Sequence, residues 1–221
     1  MIVTIDGPAG SGKSTTARNL ARRLGIAYLD SGAAYRAVTL EALRRGIDLS
    51  DEASVVHAAE TTDVEIYPGA DGVRVLISGQ DVSQPIRSGE VTESVHFVAD
   101  CGPARAVIER LVRCIGAKLG SFVAEGRDQG SVVFPDADVK FYLVASPRRR
   151  AERRQAEMVA RGEDVSVDEV LRAILARDER DSSREVGPLV EPPGAITVDT
   201  TEMGIDETAA ELESHVRAAE R

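Results

Sequence analysis

The sequence predicts an α/β fold in which a parallel sheet is covered by helices on both faces. Two observations support this prediction. Short apolar runs, at residues 2–5, 122–124 and 139–144, alternate along the chain with segments of helical periodicity. The 221 residues, 43% of them hydrophobic, can also bury the large core that such a sheet requires.

A glycine-rich loop follows the first apolar run and leads into a helix. The loop fits the pattern G-x-x-x-x-G-K-[ST], and its residues are Gly7, Pro8, Ala9, Gly10, Ser11, Gly12, Lys13, Ser14 and Thr15. In such a loop, backbone N–H groups and the helix N-terminus surround phosphate oxygens. We expect Lys13 to reach the β- and γ-phosphates of a nucleotide and Ser14 to supply a hydroxyl to Mg²⁺. A strand before the loop and a helix after it therefore predict a P-loop NTPase-type sheet.

The next stretch of chain is predicted to interrupt this pattern. Residues 27–29 form a short strand, residues 30–32 form a turn, and the helix that follows ends at Gly46. Ser50 is expected to cap another helix. Residues 64–66 and 73–77 then have the pattern of two strands joined by a turn at residues 67–72. This pattern indicates a small antiparallel β insert within the α/β chain.

Helices and strands alternate again after the insert. Helices are predicted over residues 91–99 and 103–116, and strands at residues 122–124 and 139–144. Because ligands collect at the carboxyl ends of parallel strands, the polar residues at the two strand exits are candidates for a binding site. Ser146 and Pro147 form a cap and first-turn pair for an arginine-rich helix that ends near Gly162.

The C-terminal part is predicted to contain two helices with a strand between them. Ser166 and Glu169 have the spacing of a capping box. The residues expected on the buried face of the helix that it opens are Val170, Leu171, Ile174 and Leu175. A last strand is predicted at residues 195–198. The closing helix would be buried along Ile205, Ala209, Leu212 and Val216.

The composition favours a small anionic ligand. The net charge of -10 argues against a nucleic-acid surface, and no apolar run is long enough to span a membrane. Of the 27 basic residues only three are lysine, and arginine is the side chain that binds phosphate in a bidentate fashion. Two cysteines without metal-ligand spacing predict reduced thiols. We expect a cytoplasmic, monomeric protein without a leader segment before the first strand.

A P-loop alone serves kinases, switches and motors, so the rest of the chain must distinguish them. A guanine-specific switch usually carries an Asn-Lys-x-Asp segment, which this sequence lacks. A nucleotide-dependent switch or regulatory ATPase stays open as an alternative. The three histidines sit in no pattern typical of a general base. An acceptor that is already ionised, such as another phosphate, would need no base.

Four segments, taken together, are far more specific than the P-loop. They are residues 30–36 (Asp-Ser-Gly-Ala-Ala-Tyr-Arg), 125–128 (Glu-Gly-Arg-Asp), 132–137 (Val-Val-Phe-Pro-Asp-Ala) and 177–181 (Arg-Asp-Glu-Arg-Asp). With them the chain resembles the bacterial cytidylate kinase family over nearly its whole length. The resemblance implies ATP- and Mg²⁺-dependent phosphorylation of CMP and dCMP, with a kinase for UMP or another small phosphorylated acceptor as the alternative. It also implies a core (1–63, 88–146 and 165–221), an NMP-binding insert (64–87) and a lid (147–164).

The resemblance also assigns side chains by position. The acceptor phosphate would be held by Ser31, Arg36 and Arg127; the base would be read by Arg105, Asp128 and Arg184; and the sugar would be approached by Arg177 and Asp181. The expected catalytic residues are Lys13, Arg36, Arg127 and two lid arginines, Arg149 and Arg153. A carboxylate at Asp128 can accept from the N4 amino group of cytosine, whereas it would face an acceptor at O4 of uracil. We therefore expect UMP to be rejected.

Two positions depart from the family pattern. His96 stands where the family commonly has a serine that touches the pyrimidine, so it is expected to contact the substrate and to influence the choice between CMP and dCMP. Glu125 replaces the usual aspartate before Gly-Arg-Asp, and its longer side chain could change how magnesium or water is positioned. Neither departure removes a predicted phosphate contact.

Overall fold

One sheet forms the centre of the molecule, seen in a computed structural model that describes residues 1–69 and 72–219. Within those residues the sheet has eight strands: β1 (Ile2–Asp6), β2 (Ala27–Asp30), β3 (Val64–Gly69), β4 (Gly72–Ile77), β5 (Gln80–Asp81), β6 (Phe122–Gly126), β7 (Val139–Val144) and β8 (Ile196–Asp199). Their order is β5-β4-β3-β2-β6-β1-β7-β8. The five strands from β2 to β8 in this order are parallel, as the sequence predicts.

The insert is antiparallel as predicted, but it is continuous with the central sheet. β3 pairs with β4 over six residue pairs, and its last residue, Gly69, pairs with Tyr28 of β2. The two strands extend into residues 67–69 and 72, where the sequence predicted a turn. Ala70 and Asp71, which belong to the predicted turn, lie outside the described residues.

The described helices are α1 (Lys13–Leu24), α2 (Ser31–Arg44), α3 (Glu52–Thr61), α4 (Gly89–Asp100), α5 (Gly102–Leu119), α6 (Pro147–Val159), α7 (Val167–Ser183) and α8 (Ile205–Ala219). Two predicted helix starts are wrong by one residue or more. Asp51, and not Ser50, caps α3 by accepting from the backbone N–H of Ser54. The predicted turn at residues 30–32 is in fact the start of α2. Asp30 caps the helix by accepting from the Ala33 N–H, and Ser31 is its first residue.

Alternate strand residues point to opposite faces of the sheet, so the core has two layers. Val3, Ile5 and Val123 pack with residues of α1 and α8 on one face. Phe122 and Ala124 pack with residues of α2 to α5 on the other. Helices thus cover both faces, as predicted.

A third, smaller cluster joins α6 to α7 through Ala151, Val170 and Ile174. The capping box of Ser166 and Glu169 is present at the start of α7. Two residues predicted to be buried are exposed: Leu175 of α7 (47%) and Ile205 at the start of α8 (54%). Among the helices of the described ranges, none combines the length and the apolar character needed to cross a membrane.

Candidate active site

The P-loop is built where β1 ends and α1 begins. Gly7 has φ +149°, and a Cβ there would collide with the carbonyl oxygen of Leu143 in β7, so the loop can lie this close to the sheet only with glycine. Lys13 is buried, and its Nζ donates to the carbonyl oxygen of Pro8 at 2.7 Å. Burial, and after it the positive charge of Arg127, lower the pKa of Lys13. A phosphate oxygen could take the place of that carbonyl and offer a negative charge as well.

Next to the loop, Ser14 contacts a carboxylate from the neighbouring strand. Its Oγ donates to Oε1 of Glu125 at 2.7 Å, and the Tyr28 hydroxyl donates to the same oxygen at 3.3 Å. Burial, followed by the negative charge of Asp30, raises the pKa of Glu125. A hydroxyl and a carboxylate are the hard oxygen ligands that Mg²⁺ prefers, so these two residues fit the predicted ion. Glu125 was recognised in the sequence only as a departure; the structure brings it to Ser14.

Within electrostatic reach of Lys13, several arginines converge on one buried carboxylate. Asp181 of α7 binds Nε of Arg127 at 2.8 Å, Nε of Arg177 at 3.9 Å, and Nη2 of Arg184. Although burial would raise the pKa of Asp181, Arg127 and Arg184 hold it below its usual value. Burial, followed by the charge of Arg127, lowers the pKa of Arg177 to about 10. Positive charge therefore exceeds what the single carboxylate can neutralise.

Two further residues predicted to bind phosphate lie on α2. Arg36 is partly buried and donates from Nη1 to Thr92 Oγ1 at 2.9 Å and to the carbonyl oxygen of Ile86 at 3.2 Å. Burial lowers its pKa; the negative charge of Asp30 acts against this effect, and the positive charges of nearby arginines, Arg127 among them, add to it. Ser31 donates its hydroxyl to the carbonyl oxygen of Glu125 at 2.8 Å. Arg36 and Arg127 thus face a common region.

The predicted base-reading pair is present and buried. Nη2 of Arg105 forms an ion pair with Oδ2 of Asp128, and Nη1 donates to the carbonyl oxygen of Ala99 at 3.0 Å. The guanidinium lies 5.3 Å from the centre of the Tyr35 ring. Asp128 does not cap the π-helical turn Gln129–Val133 that follows it. Its carboxylate is instead directed at Arg105.

Asp6 at the end of β1 holds this π-helical turn in place. Its two carboxylate oxygens accept from the backbone N–H groups of Gln129 at 2.8 Å and Gly130 at 2.7 Å. Burial raises the pKa of Asp6 to about 6 despite these bonds. Asp6 is not among the site residues predicted from the sequence. The signal in the sequence that could have identified it is its position as a carboxylate directly after the apolar run of β1.

Arg184 and His96 lie at the edge of the base region. Nε of Arg184 donates to Oδ1 of Asp100 at 2.6 Å. Burial raises the pKa of Asp128, and the positive charges of Arg105 and then Arg184 act against this effect. His96 is directed along its own helix, with Nδ1 at 2.7 Å from the carbonyl oxygen of Glu93 and its ring 4.1 Å from that of Phe97. The predicted contact of His96 with the substrate stays a prediction.

The five arginines of α6 face different partners. Arg149 and Arg153 face the loop after β8: Nε of Arg149 donates to the carbonyl oxygen of Thr201 at 3.3 Å, and Nη2 of Arg153 donates to that of Met203 at 3.2 Å. Arg154, by contrast, is close enough to Arg36 for its charge to lower the pKa of Arg36, after the larger effect of burial. The predicted catalytic role of Arg149 and Arg153 is untested by this arrangement.

Arg150 is the one arginine of α6 that reaches the P-loop among the described contacts. It is 4% exposed, and its Nη1 lies 2.9 Å from the carbonyl oxygen of Ala9 and 2.6 Å from Oδ2 of Asp178. Its Nε donates to the carbonyl oxygen of Ala145 at 3.0 Å. From the sequence, Arg150 is one of several arginines in a run and Asp178 is one residue of the segment 177–181, and neither has a predicted role.

Comparison with known proteins gives consistent results. Residues 3–218 match the family described as Cytidylate kinase. The chain is 47% identical over 212 residues to a cytidylate kinase of Carboxydothermus hydrogenoformans, covering 96% of this chain and 95% of the relative. It is 40% identical over 216 residues to a cytidylate kinase of Clostridioides difficile, with 98% of each chain covered.

Solved structures resemble the fold at much lower sequence identity. A Thermus thermophilus protein superposes with a TM-score of 0.51 at 19% identity, over 99% of this chain and 96% of that one. An uncharacterized protein from Eubacterium ventriosum gives a TM-score of 0.52 at 11% identity, over 99% of both chains. At these identities the likeness concerns the fold alone.

Proposed function

Because this chain belongs to the cytidylate kinase family, we propose that it transfers the γ-phosphate of ATP to the phosphate of CMP or dCMP, giving CDP or dCDP. The observation that carries the proposal is the placement of two complementary parts around one region. The buried lysine of the P-loop and the arginines around Asp181 lie within electrostatic reach of each other, because the charges of Arg127 and Arg177 lower the pKa of Lys13 after the larger effect of burial. A buried carboxylate-arginine pair suited to cytosine lies beyond them.

On the donor side, residues 7–15 would bind the triphosphate, with backbone N–H groups surrounding its oxygens. Lys13 would exchange the carbonyl oxygen of Pro8 for oxygens of the β- and γ-phosphates. Ser14 would hold Mg²⁺, and Glu125 is close enough to take part directly or through water. When bound, the ion supplies positive charge beside the transferred group.

On the acceptor side, Arg36, Arg127 and Ser31 would position the phosphate of CMP. This phosphate is ionised at neutral pH, so its oxygen can attack without a general base. The chemistry then depends on alignment and on positive charge fixed around the moving phosphoryl group. The arginines that share Asp181 support this role: burial, and after it the charge of Arg127, lower the pKa of Arg177, and a phosphate would relieve the repulsion between the two arginines.

The sugar and base would lie between α7 and the π-helical turn. Arg177 and Asp181 would approach the ribose, and Arg184 and Arg105 would offer donors to O2 and N3 of cytosine. Asp128 would accept from the N4 amino group. With uracil the buried carboxylate would face O4, leaving two acceptors opposed and unpaired.

The lid (147–164) and the NMP-binding insert (64–87) are proposed to close over both substrates and to exclude water. Arg149 and Arg153 would have to leave the carbonyl groups of the loop after β8 to reach the phosphates. Arg154 is already within electrostatic reach of Arg36, which makes it a further candidate in the lid. Action as a monomer in the cytoplasm, on small nucleotides and apart from nucleic acid or membrane, remains part of the proposal.

An ADP-release assay with ATP and Mg²⁺ tests the proposal, with CMP, dCMP, UMP and AMP added separately. We expect ADP release to be stimulated by CMP and dCMP alone. Slow release that ignores every acceptor would indicate an ATPase or a nucleotide-dependent switch. Comparable turnover of UMP and CMP would contradict the role of Asp128.

Variants at two lysines separate the reaction from the fold. Lys13→Ala should abolish transfer, whereas Lys118→Ala, on the exposed side of α5, should leave it unchanged. Both variants should keep the circular dichroism spectrum of the parent chain. Full activity of Lys13→Ala would contradict the proposed mechanism.

A further inference from the structure

The chain that follows α7 passes directly over the base-reading pair. Gly187 is buried there with φ +62°, in the left-handed region that favours glycine. A Cβ on this residue would lie 2.7 Å from Cζ of Arg105 and closer still to Nη2 of Arg105 and Oδ2 of Asp128. No side chain fits between this backbone and the ion pair.

Contacts on both sides of Gly187 hold the segment in place. Before it, Nε of Arg184 donates to Oδ1 of Asp100 at 2.6 Å. After it, the backbone N–H of Leu189 donates to the carbonyl oxygen of Asp181 at 2.7 Å, and the Leu189 side chain is buried. Val186 lies against the first residue of α5, where a Cβ on Gly102 would be 3.3 Å from Val186 Cγ2. The position of the Gly187 backbone is therefore fixed from α4, α5 and α7.

Polar groups beside the ion pair are buried without a partner among the described residues. Nε of Arg105 and the hydroxyl of Tyr35 both make no hydrogen bond there. Leaving such groups unpaired costs free energy, so they indicate a site that a polar ligand completes. The same groups adjoin the contact between Gly187 and Arg105.

We propose that Gly187 is a specificity-determining positioning residue: because it has no side chain, its backbone can lie next to Arg105 and Asp128, and this sets where the pair meets the pyrimidine. The inference rests on the proposed function, since it takes Arg105 and Asp128 to be the groups that read the base. Gly187 itself makes no hydrogen bond to the base. Its effect is to fix the pair and to keep water from its far side.

The position of the pair matters because CMP is distinguished from UMP by the Asp128 carboxylate, which is left buried and unpaired when uracil is bound. A displacement of about 1 Å can lower the rate by about 100-fold when groups must be aligned. Water admitted beside Asp128 would also solvate the carboxylate when uracil is bound, which would reduce the penalty for the wrong base. Both effects act on recognition of the acceptor and leave the P-loop unchanged.

Gly187→Ala tests the proposal, and Gly194→Ala is its matched control. Gly194 belongs to the same connection between α7 and β8 and has φ +75°, but a Cβ there would meet nothing within 4 Å. Both variants carry the strain of alanine at positive φ, and only the first crowds the ion pair. The quantities to measure are kcat and KM for CMP, UMP and ATP, together with the melting temperature.

We expect Gly187→Ala to lower the ratio of kcat/KM for CMP to that for UMP by about 10- to 100-fold, mainly through the KM for CMP. The KM for ATP should match that of Gly194→Ala. A CMP to UMP ratio equal in the two variants would overturn the proposal. Asp128→Asn is measured in parallel. If Asp128→Asn leaves the CMP to UMP ratio unchanged, the proposed base reading is wrong. If Asp128→Asn changes the ratio and Gly187→Ala does not, the base reading stands and only the role of Gly187 is refuted.

If Gly187→Ala does not fold, hydrogen exchange of the parent protein tests the proposed role of Gly187. Peptides that cover residues 184–190 should exchange more slowly when CMP is added than when ATP or UMP is added. P-loop peptides that respond to ATP provide the internal control. Exchange over residues 184–190 that is indifferent to CMP, while the P-loop responds to ATP, would overturn the proposal.

Discussion

Replacing Arg150 by methionine should destabilise the protein far more than the same replacement of Arg148 in the arginine-rich helix. The guanidinium is almost fully buried and joins four parts of the chain: α6 itself, the P-loop at Ala9, the end of β7 at Ala145, and α7 at Asp178. Methionine has a similar length and keeps the apolar contacts of the stem. The substitution therefore removes the charge and the hydrogen bonds with little change in packing.

The size of the effect follows from what is left unpaired. Asp178 would keep a carboxylate whose side chain is 17% exposed and whose Oδ1 already makes no hydrogen bond, and the carbonyl groups of Ala9 and Ala145 would each lose a donor. Removing one partner of a buried ion pair costs about 3–5 kcal/mol. Because water reaches part of Asp178, we expect about 3 kcal/mol. In a chain of this length that lowers the melting temperature by about 6–12 °C.

Urea and thermal unfolding of four variants measure this effect. Arg148→Met is the control, because Arg148 lies on the same helix with 66% of its side chain exposed and ion pairs of 3.5–3.6 Å, which contribute about 0–1 kcal/mol. Asp178→Leu alone should also be strongly destabilising. The double variant Arg150→Met with Asp178→Leu should lose less than the sum of the single changes, since neither charge is then left alone. A cost for Arg150→Met no greater than that for Arg148→Met, or simple additivity in the double variant, would refute the reasoning.

Three further predictions concern the site. Burial raises the pKa of Asp6 to about 6, so the native state holds this proton more tightly than the unfolded chain does. The free energy of unfolding should therefore fall by about 2 kcal/mol between pH 4 and pH 7, and Asp6→Asn should lack this part of the slope in urea unfolding. Ser14→Ala should raise the Mg²⁺ concentration for half-maximal activity by about tenfold or more, and an unchanged Mg²⁺ titration would contradict the metal assignment. His96→Ser should change the ratio of kcat/KM for CMP to that for dCMP; an equal ratio would mean that His96 does not contact the sugar or base.

The parts of the fold that the sequence predicted depend on local signals. The strand, the glycine-rich loop and α1 follow one another within about 24 residues, and the capping box of Ser166 and Glu169 acts over one turn. Pairings between distant residues carry no such signal. The contact of Gly69 with Tyr28, which joins the insert to the central sheet, is therefore absent from the prediction. The cap of α3 was also predicted one residue too early: the hydrogen bond from the Ser54 backbone N–H goes to the carboxylate of Asp51, and not to the hydroxyl of Ser50.

The arginine run shows why the site was predicted only in part. Successive residues of a helix point about 100° apart, so Arg148, Arg149 and Arg150 must face three different directions. With few large apolar residues in α6, no hydrophobic stripe indicates which direction is buried. The identity of the inward arginine is fixed by Asp178 and by the carbonyl groups of the P-loop and β7, all of which come from elsewhere in the chain. The sequence could locate the helix but not its rotation.

The site gathers positive charge in a chain that is negative overall. The protein carries a net charge of -10, yet Arg36, Arg127 and Arg177 lie close enough for Arg127 to lower the pKa of both others, after the larger effect of burial in each. Their repulsion costs free energy in the protein without ligand, and an ionised phosphate would relieve it on binding. Asp181 holds Arg127 and Arg177 in place, and Thr92 and the carbonyl oxygen of Ile86 hold Arg36, so little reorganisation is needed when the phosphate arrives. Positive charge fixed in advance and only partly neutralised is what the transfer of a phosphoryl group between two anions requires.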